Sequence, residues 1–261
     1  MYRFVIALLF GCSPSADDPK PVTPSSLDRA KAAARANPKD FATQFHLGEV
    51  ALQQRENVTA GIAFTACHMI DPKNPEALDR RGDARLKLGL FVEAVEDFDA
   101  YLKLKPKDAP YHWRRGIALY YAGKYAEGAK QFEAHKRVNP EDVENAAWHF
   151  LCVARDKGVA EARKGLIVVT KDVRVPMAEV QKLFAGTATP DDVLAAAAKV
   201  KDGTGDGKAA RFYAHLYVGL YYEATGDEKK AKEHITIAAE KYVIGHYMWD
   251  VAAAHAKTFK K

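Results

Sequence analysis

Prolines stand at positions 38, 72, 106 and 140, one every 34 residues. Glycines at 48, 82 and 116 keep the same step, as do Phe64, Phe98 and Phe132. Small residues at Ala60, Ala94 and Gly128 form a fourth column in the same register. Internal periods of 20–50 residues belong to arrays in which each unit covers the apolar face of its neighbour. A chain built this way is an elongated stack, and the columns say where its parts touch.

The chemistry of each column gives the unit. Two antiparallel helices, A and B, joined by a tight turn fit 34 residues. Gly48, Gly82 and Gly116 lie on helix A, where helix B crosses so closely that a side chain would force the pair apart; Ala60, Ala94 and Gly128 are the matching small positions on helix B. Phe64, Phe98 and Phe132 are expected to plug the space between one unit and the next. The prolines close each helix B region, because proline lacks the donor that a continuing helix needs. Gly89 and Gly123 end helix A at the turn inside the unit. Full units are therefore predicted at 41–74, 75–108 and 109–142, within an array over 27–142 whose first helix, 26–38, is a lone helix B capping the stack.

Beyond 142 the pattern loosens. A degenerate helical region is predicted over 143–208, containing helices near 143–158, 175–186 and 189–200. Thr189 caps the last of these, with Pro190 in its first turn. "KDGTGDGK" (201–208) reads as a flexible loop. A further repeat-like unit begins at Phe212, where Gly219, Gly226, Ala231, Ile235 and Ala238 keep the register. A final helix, 246–257, is expected to cover the exposed end, so that 209–258 form the last unit with its cap.

The N-terminus is of another kind. "MYRFVIALLFG" (1–11) has one early Arg and a short apolar run, the makings of a secretory signal too short to span a membrane. Cys12 follows it and is the expected lipidation site, since Leu9-Phe10-Gly11-Cys12 resembles a bacterial lipobox. Residues 12–26, rich in Ser and Pro, would then be an extended tether. The protein is expected in the bacterial cell envelope, held to the membrane by its lipid and facing the periplasm.

The 34-residue interval is that of tetratricopeptide repeats. The all-α fold it implies is a right-handed superhelix of helix hairpins, with an irregular insert and a C-terminal capping helix. "RRGIALYYAGKYAEGA" (114–129), the "EVQKLFAG" insert (179–186) and "FYAHLYVGLYYEATGD" (212–227) are further similar to NlpI-like tetratricopeptide lipoproteins. That resemblance implies an outer-membrane lipoprotein, often a homodimer, without catalysis of its own, which brings a periplasmic protease and cell-wall hydrolases together. A non-enzymatic adaptor is the leading functional expectation. An assembly or pilotin role for a secretion or pilus system is the alternative.

Helix A positions should line a concave groove. In the second unit these include Glu76, Asp79 and Asp83; in the third, Trp113, Ile117, Tyr120 and Tyr121. An acidic strip therefore borders an aromatic one, suited to anchoring a peptide or partner protein. Packing against the chain's own irregular segment, or against a second copy in a homodimer, are competing uses of the same rings. Arg80, Arg81, Arg114 and Arg115 are expected to lay their stems over apolar surface with their heads in water. The competing role is a basic clamp for a carboxylate. The two-carboxylate clamp of some such repeats needs Lys and Asn where this chain has Phe45 and Glu49, Asp79 and Asp83, Trp113 and Ile117, which rejects it.

Other chemistry is weakly signalled. The formal net charge of +5 is spread without a basic block, which argues against nucleic acid. Three cysteines without CxxC spacing argue against a disulfide framework or zinc site, and Cys67 and Cys152 read as buried, inert thiols. "DGTGDG" (202–207) lacks the acidic twelfth ligand of a calcium loop, which would be Tyr213. No cofactor or metal is expected.

Overall fold

The computed structural model describes residues 25–259. The signal segment, Cys12 and most of the tether lie outside these residues. Among these residues the regular secondary structure is all helical. Helix α1 (Ser26–Ala36) precedes three hairpins: α2 (Phe41–Gln53) with α3 (Asn57–Ile70), α4 (Pro75–Leu88) with α5 (Phe91–Leu104), and α6 (Trp113–Tyr121) with α7 (Tyr125–Lys136). Then come α8 (Val143–Lys157), α9 (Val159–Lys164), α10 (Met177–Ala185) and α11 (Pro190–Ala198), the hairpin of α12 (Gly205–Thr225) with α13 (Glu228–Glu240), and α14 (Tyr247–Thr258).

Helix starts follow the capping residues. Ser25 and Asp28 form a reciprocal capping box at α1, and Thr189 and Asp192 form another at α11. Asp40 caps α2, Asn74 caps α4 ahead of Pro75, and Asp142 caps α8. The third hairpin departs from expectation at its start. Pro106–Tyr111 forms a 3-10 turn containing Pro110, and the α-helix begins only at Trp113. The loop expected over 201–208 is also shorter, because Thr204 Oγ1 accepts from Gly207 N at 3.0 Å and starts α12 at Gly205.

The columns mark the closest contacts. A Cβ built on Gly48, Gly82 or Gly116 would lie 2.5, 2.6 or 2.6 Å from a ring carbon of Phe64, Phe98 or Phe132 respectively. Each ring thus sits over the glycine of its own unit, 16 residues back, and not only between units. It also reaches forward: Phe98 lies 4.6 Å from the His112 ring, and Phe132 stacks on Trp148 at 6.4 Å. The last hairpin repeats the relation with Gly219 under Ile235. Residue 150, where the next glycine would fall, is Phe150. Its buried ring packs on Phe184 of α10 at 4.9 Å, and the helix B that should follow is cut to the six residues of α9. Breaking the glycine column therefore coincides with the end of regular hairpins.

Two apolar cores result. A smaller one runs from Leu27 to Ala84, and a larger one from Leu86 to Ala256. The larger includes α14. That helix packs on α13 and also crosses the array to contact α4, so it does more than cap the end.

Candidate functional site

Helices α4 and α6 carry the acidic and aromatic strips, and α14 lies against both. Trp113 meets the Tyr247 ring edge-on at 4.8 Å. Tyr247 Oη donates to Asp83 Oδ1 at 2.5 Å, and Lys87 Nζ sits 4.8 Å over the same ring. Tyr121 stacks on Phe91 at 4.6 Å, and its hydroxyl lies 3.1 Å from His255 Nδ1. Burial, reinforced by the Arg155 charge, holds the His255 imidazole down to about 4, so it is neutral at pH 7. Ile117 and Tyr120 are core residues at 1% and 2% exposure; the Tyr120 ring faces Trp148 of α8 at 5.4 Å.

The acidic strip is largely spoken for within the chain. Asp79 accepts from Arg114 at 2.8 Å and lies 2.9 Å from His112 Nε2. Burial opposes its ionisation, but the His112 hydrogen bond and the Arg114 charge outweigh this and hold the carboxyl down to about 2. Asp83 also pairs with Lys87 at 3.0 Å. Glu76 remains exposed, with Lys105 4.0 Å away.

The arginines belong to the scaffold, and their heads do not all reach water. Arg80 pairs with Glu49 at 3.0 Å, and Arg114 lies 3.8 Å from Asp83. Both reach back 31 residues to helix A of the preceding unit. Arg81 and Arg115 reach forward 16 residues to helix B of their own unit. Arg81 grips buried Asp97 through two nitrogens at 3.0 and 2.6 Å, and Arg115 donates to Gln131 at 3.3 Å; Arg115 also reaches 16 residues back, to Asp99 on helix B of the preceding unit, at 2.6 Å. Arg85 adds a further bond to Asp97 at 2.7 Å.

One residue in this arrangement escaped the sequence reading. Arg55 occupies the helix-ending position that is Gly89 and Gly123 in the next two units, and it adopts the same left-handed backbone at φ 59. That conformation costs a non-glycine residue about 1–2 kcal/mol. Its guanidinium donates to Asp250 at 2.9 Å and to the Ile244 carbonyl at 3.1 Å, and lies 4.8 Å over the Trp249 ring. The signal was present in the sequence as an arginine in a glycine column.

A cavity of about 320 Å³ lies between α6, α7, α8, α12 and α14. Trp113, Ile117, Trp148, Tyr213, Tyr247 and Met248 supply most of its wall, with Asn145, His135 and His246 among the polar residues. Tyr213 Oη lies 2.8 Å from His246 Nδ1. Of the seven groove residues read from the sequence, Trp113 and Ile117 border this opening. Tyr120, Tyr121, Asp79 and Asp83 are engaged by other parts of the chain.

Reactive chemistry is sparse. Burial pushes the Cys67 thiol up to about 11 and raises that of Cys152 further. Among the described residues, no group of three or more His, Cys, Asp or Glu could hold a metal ion, and no helix is long and apolar enough to cross a membrane.

A tetratricopeptide repeat model matches residues 62–109 and 79–143. No curated protein matches the chain. A tetratricopeptide repeat protein from Parabacteroides merdae superposes with a TM-score of 0.55 at 19% identity, over 90% of this chain and 91% of that one. MamA from Desulfovibrio magneticus gives 0.46 at 18% identity, over 77% of this chain and 93% of that one. YrrB, a tetratricopeptide protein described as having an unusual peptide-binding site, gives 0.46 at 15%, over 89% and 100%. The matched repeats, the glycine–phenylalanine register and the helix-hairpin fold shared with the Parabacteroides structure together support a tetratricopeptide-repeat protein.

Proposed function

We propose that this protein is a non-enzymatic binding scaffold, lipid-anchored through Cys12 in the bacterial cell envelope, which captures partner polypeptides at the open part of its inner face. The observation that carries the reading is the aromatic-walled cavity left where α14 covers the rest of that face. Large rings in a concave setting are what anchor partner side chains at interfaces. The lipid would fix the scaffold at the membrane. Two clients held by one tethered molecule then meet at a raised effective concentration without new chemistry. Envelope proteins such as a protease or cell-wall hydrolases are the clients that the NlpI-like resemblance implies.

The test is affinity capture from envelope fractions with the full chain and with Trp113→Ala. Tyr120 is a poor probe, because removing a core ring attacks the fold itself. Loss of specific partners from a Trp113→Ala protein with unchanged helical content supports the scaffold. An identical partner set would overturn it. In parallel, Cys12→Ala should release the protein from membranes and abolish labelling by a fatty-acid precursor.

A further inference from the structure

Helix α3 has no Lys, Arg, Asp or Glu in its 14 residues. Val58, Ile62 and Met69 along it are 60%, 68% and 78% exposed. Steps of four and seven residues put all three on one face of the helix. The array supplies its own comparison. One unit on, Ile62 and Met69 become Glu96 and Lys103; two units on, Lys130 and Arg137. In the last hairpin, set in register by Gly219 and Ile235, they become Glu233 and Glu240. All six are exposed. Packing inside the array therefore asks for nothing apolar at these positions. What lies outside α3 must account for Ile62 and Met69.

The chain enters the array beside this helix. Gln54 Nε2 donates to Ser26 Oγ at 2.7 Å, and α3 begins three residues after Gln54. Cys12 precedes Ser25 by 13 residues, so it stands no more than about 45 Å away however the chain runs. A bilayer that holds a lipid on Cys12 is then within reach of the whole of α3, which is about 21 Å long. The size of the face also favours a bilayer over a protein. One side of a helix about 21 Å long and about 10 Å across offers about 200 Å². A stable protein complex buries about 800 Å² on each partner. A patch already tethered to its target needs far less, because the tether supplies the effective concentration. Nor does the face ask for water: it holds no charge, and the Thr65 hydroxyl donates to the Gly61 carbonyl at 2.7 Å.

We propose that α3 is a membrane contact, with Val58, Ile62 and Met69 seated in the interface of the bilayer that carries the Cys12 lipid. The contact turns a loose tether into a fixed orientation of the array against the membrane. It rests on the lipid-anchor reading for its bilayer and goes beyond it in assigning the face that meets the lipid.

The test replaces the lipid, so that it stands apart from what cells do at Cys12. The chain from residue 12 on, with Cys12→Ala behind a hexahistidine, is held on phosphatidylcholine vesicles that contain nickel-chelating lipid. Met69→Cys carries a nitrobenzoxadiazole fluorophore, and Lys103→Cys, one unit on, is the labelled control. Cys67 and Cys152 are fully buried and stay unlabelled. On vesicles the label at 69 should shift to the blue and be quenched by lipids spin-labelled below the headgroup, while the label at 103 keeps its emission in water. Ile62→Glu, which installs the charge of the next unit at an exposed site, should cut that quenching at least about threefold with helical content unchanged. A label at 69 as water-exposed as that at 103, or quenching that Ile62→Glu leaves intact, overturns the contact. A blue shift at 69 that needs no vesicles and grows with protein concentration also overturns it and gives the face to a second copy. Quenching at 69 together with no fatty-acid labelling of Cys12 in cells leaves α3 standing as a lipid-binding face and removes the anchor. Fatty-acid labelling of Cys12 with a water-exposed residue 69 does the reverse.

Discussion

Replacing Gly82 by alanine tests the packing rule that organises the whole array. On helix propensity alone the change should help, because alanine is favoured over glycine in a helix interior by about 1 kcal/mol. The structure predicts the opposite sign. The new Cβ would stand 2.6 and 2.8 Å from two carbons of the Phe98 ring and 3.2 Å from Asp97 Cβ. Carbon atoms pack at about 3.5–4.0 Å, so the ring or the helix must retreat by about 1 Å. Phe98 has no room to do so: it is fully buried and its far side meets His112. Overpacking of this kind costs about 1–3 kcal/mol, and a clash against a locked ring belongs near the upper end. The net loss is about 2 kcal/mol, or about 4–8 °C in melting temperature for a chain of this size. Gly61 is the control. It also lies inside a helix, but a Cβ there meets only Leu88 Cδ1 at 3.9 Å, so Gly61→Ala should gain up to about 1 kcal/mol. Thermal melts followed by far-ultraviolet circular dichroism would compare the two. A Gly82→Ala protein that melts at or above the parent refutes the close-contact reading. If Phe98→Leu in the same chain returns part of the loss, the clash is the cause.

Arg81→Met should destabilise by about 3 kcal/mol in urea melts, because it leaves Asp97 buried with Arg85 as its remaining charged partner; Arg81→Met with Asp97→Leu should recover most of that. Arg55→Gly should relieve the left-handed backbone while releasing Asp250 and Ile244, giving little net change in melting but faster hydrogen exchange across 244–258. Acidification should weaken the fold between pH 6.5 and about 4. His255 and His215 are held down to about 4, chiefly by burial, so the unfolded chain takes up protons first as pH falls through that window and stability is full only above it. For His255 this amounts to about 3 kcal/mol, and His255→Phe should flatten the pH dependence of the urea midpoint. A slope unchanged in that variant would show that the protonated imidazole finds a partner in place.

The repeat columns were legible because each reports a contact made within a unit or between sequential units. Gly82 and Phe98 lie 16 residues apart, Pro72 and Pro106 lie 34 apart, and such local geometry repeats whatever the rest of the chain does. The arginine partners were equally visible, since Asp97 and Gln131 fall in one column and Glu49 and Asp83 in another, but they become partners only once the hairpin is built. The course of α14 was not readable. Nothing periodic links Tyr247 to Asp83 or His255 to Tyr121; those contacts depend on how far the array curves and on the irregular path through α9 to α11. The sequence therefore offers Tyr120 and Tyr121 both as groove rings and as self-packing rings, and in the structure neighbouring helices cover them.

The bond between Arg55 and Asp250 joins residues 195 apart along the chain. A stack of hairpins tied together only by adjacent contacts behaves like an open spring, able to lose or gain a coil at modest cost. Here the two arms of the spring are latched to each other. Splicing one more 34-residue coil between positions 74 and 75 would carry the latch out of reach of its catch, so a change in coil number here breaks a long-range bond that arrays with free ends do not have.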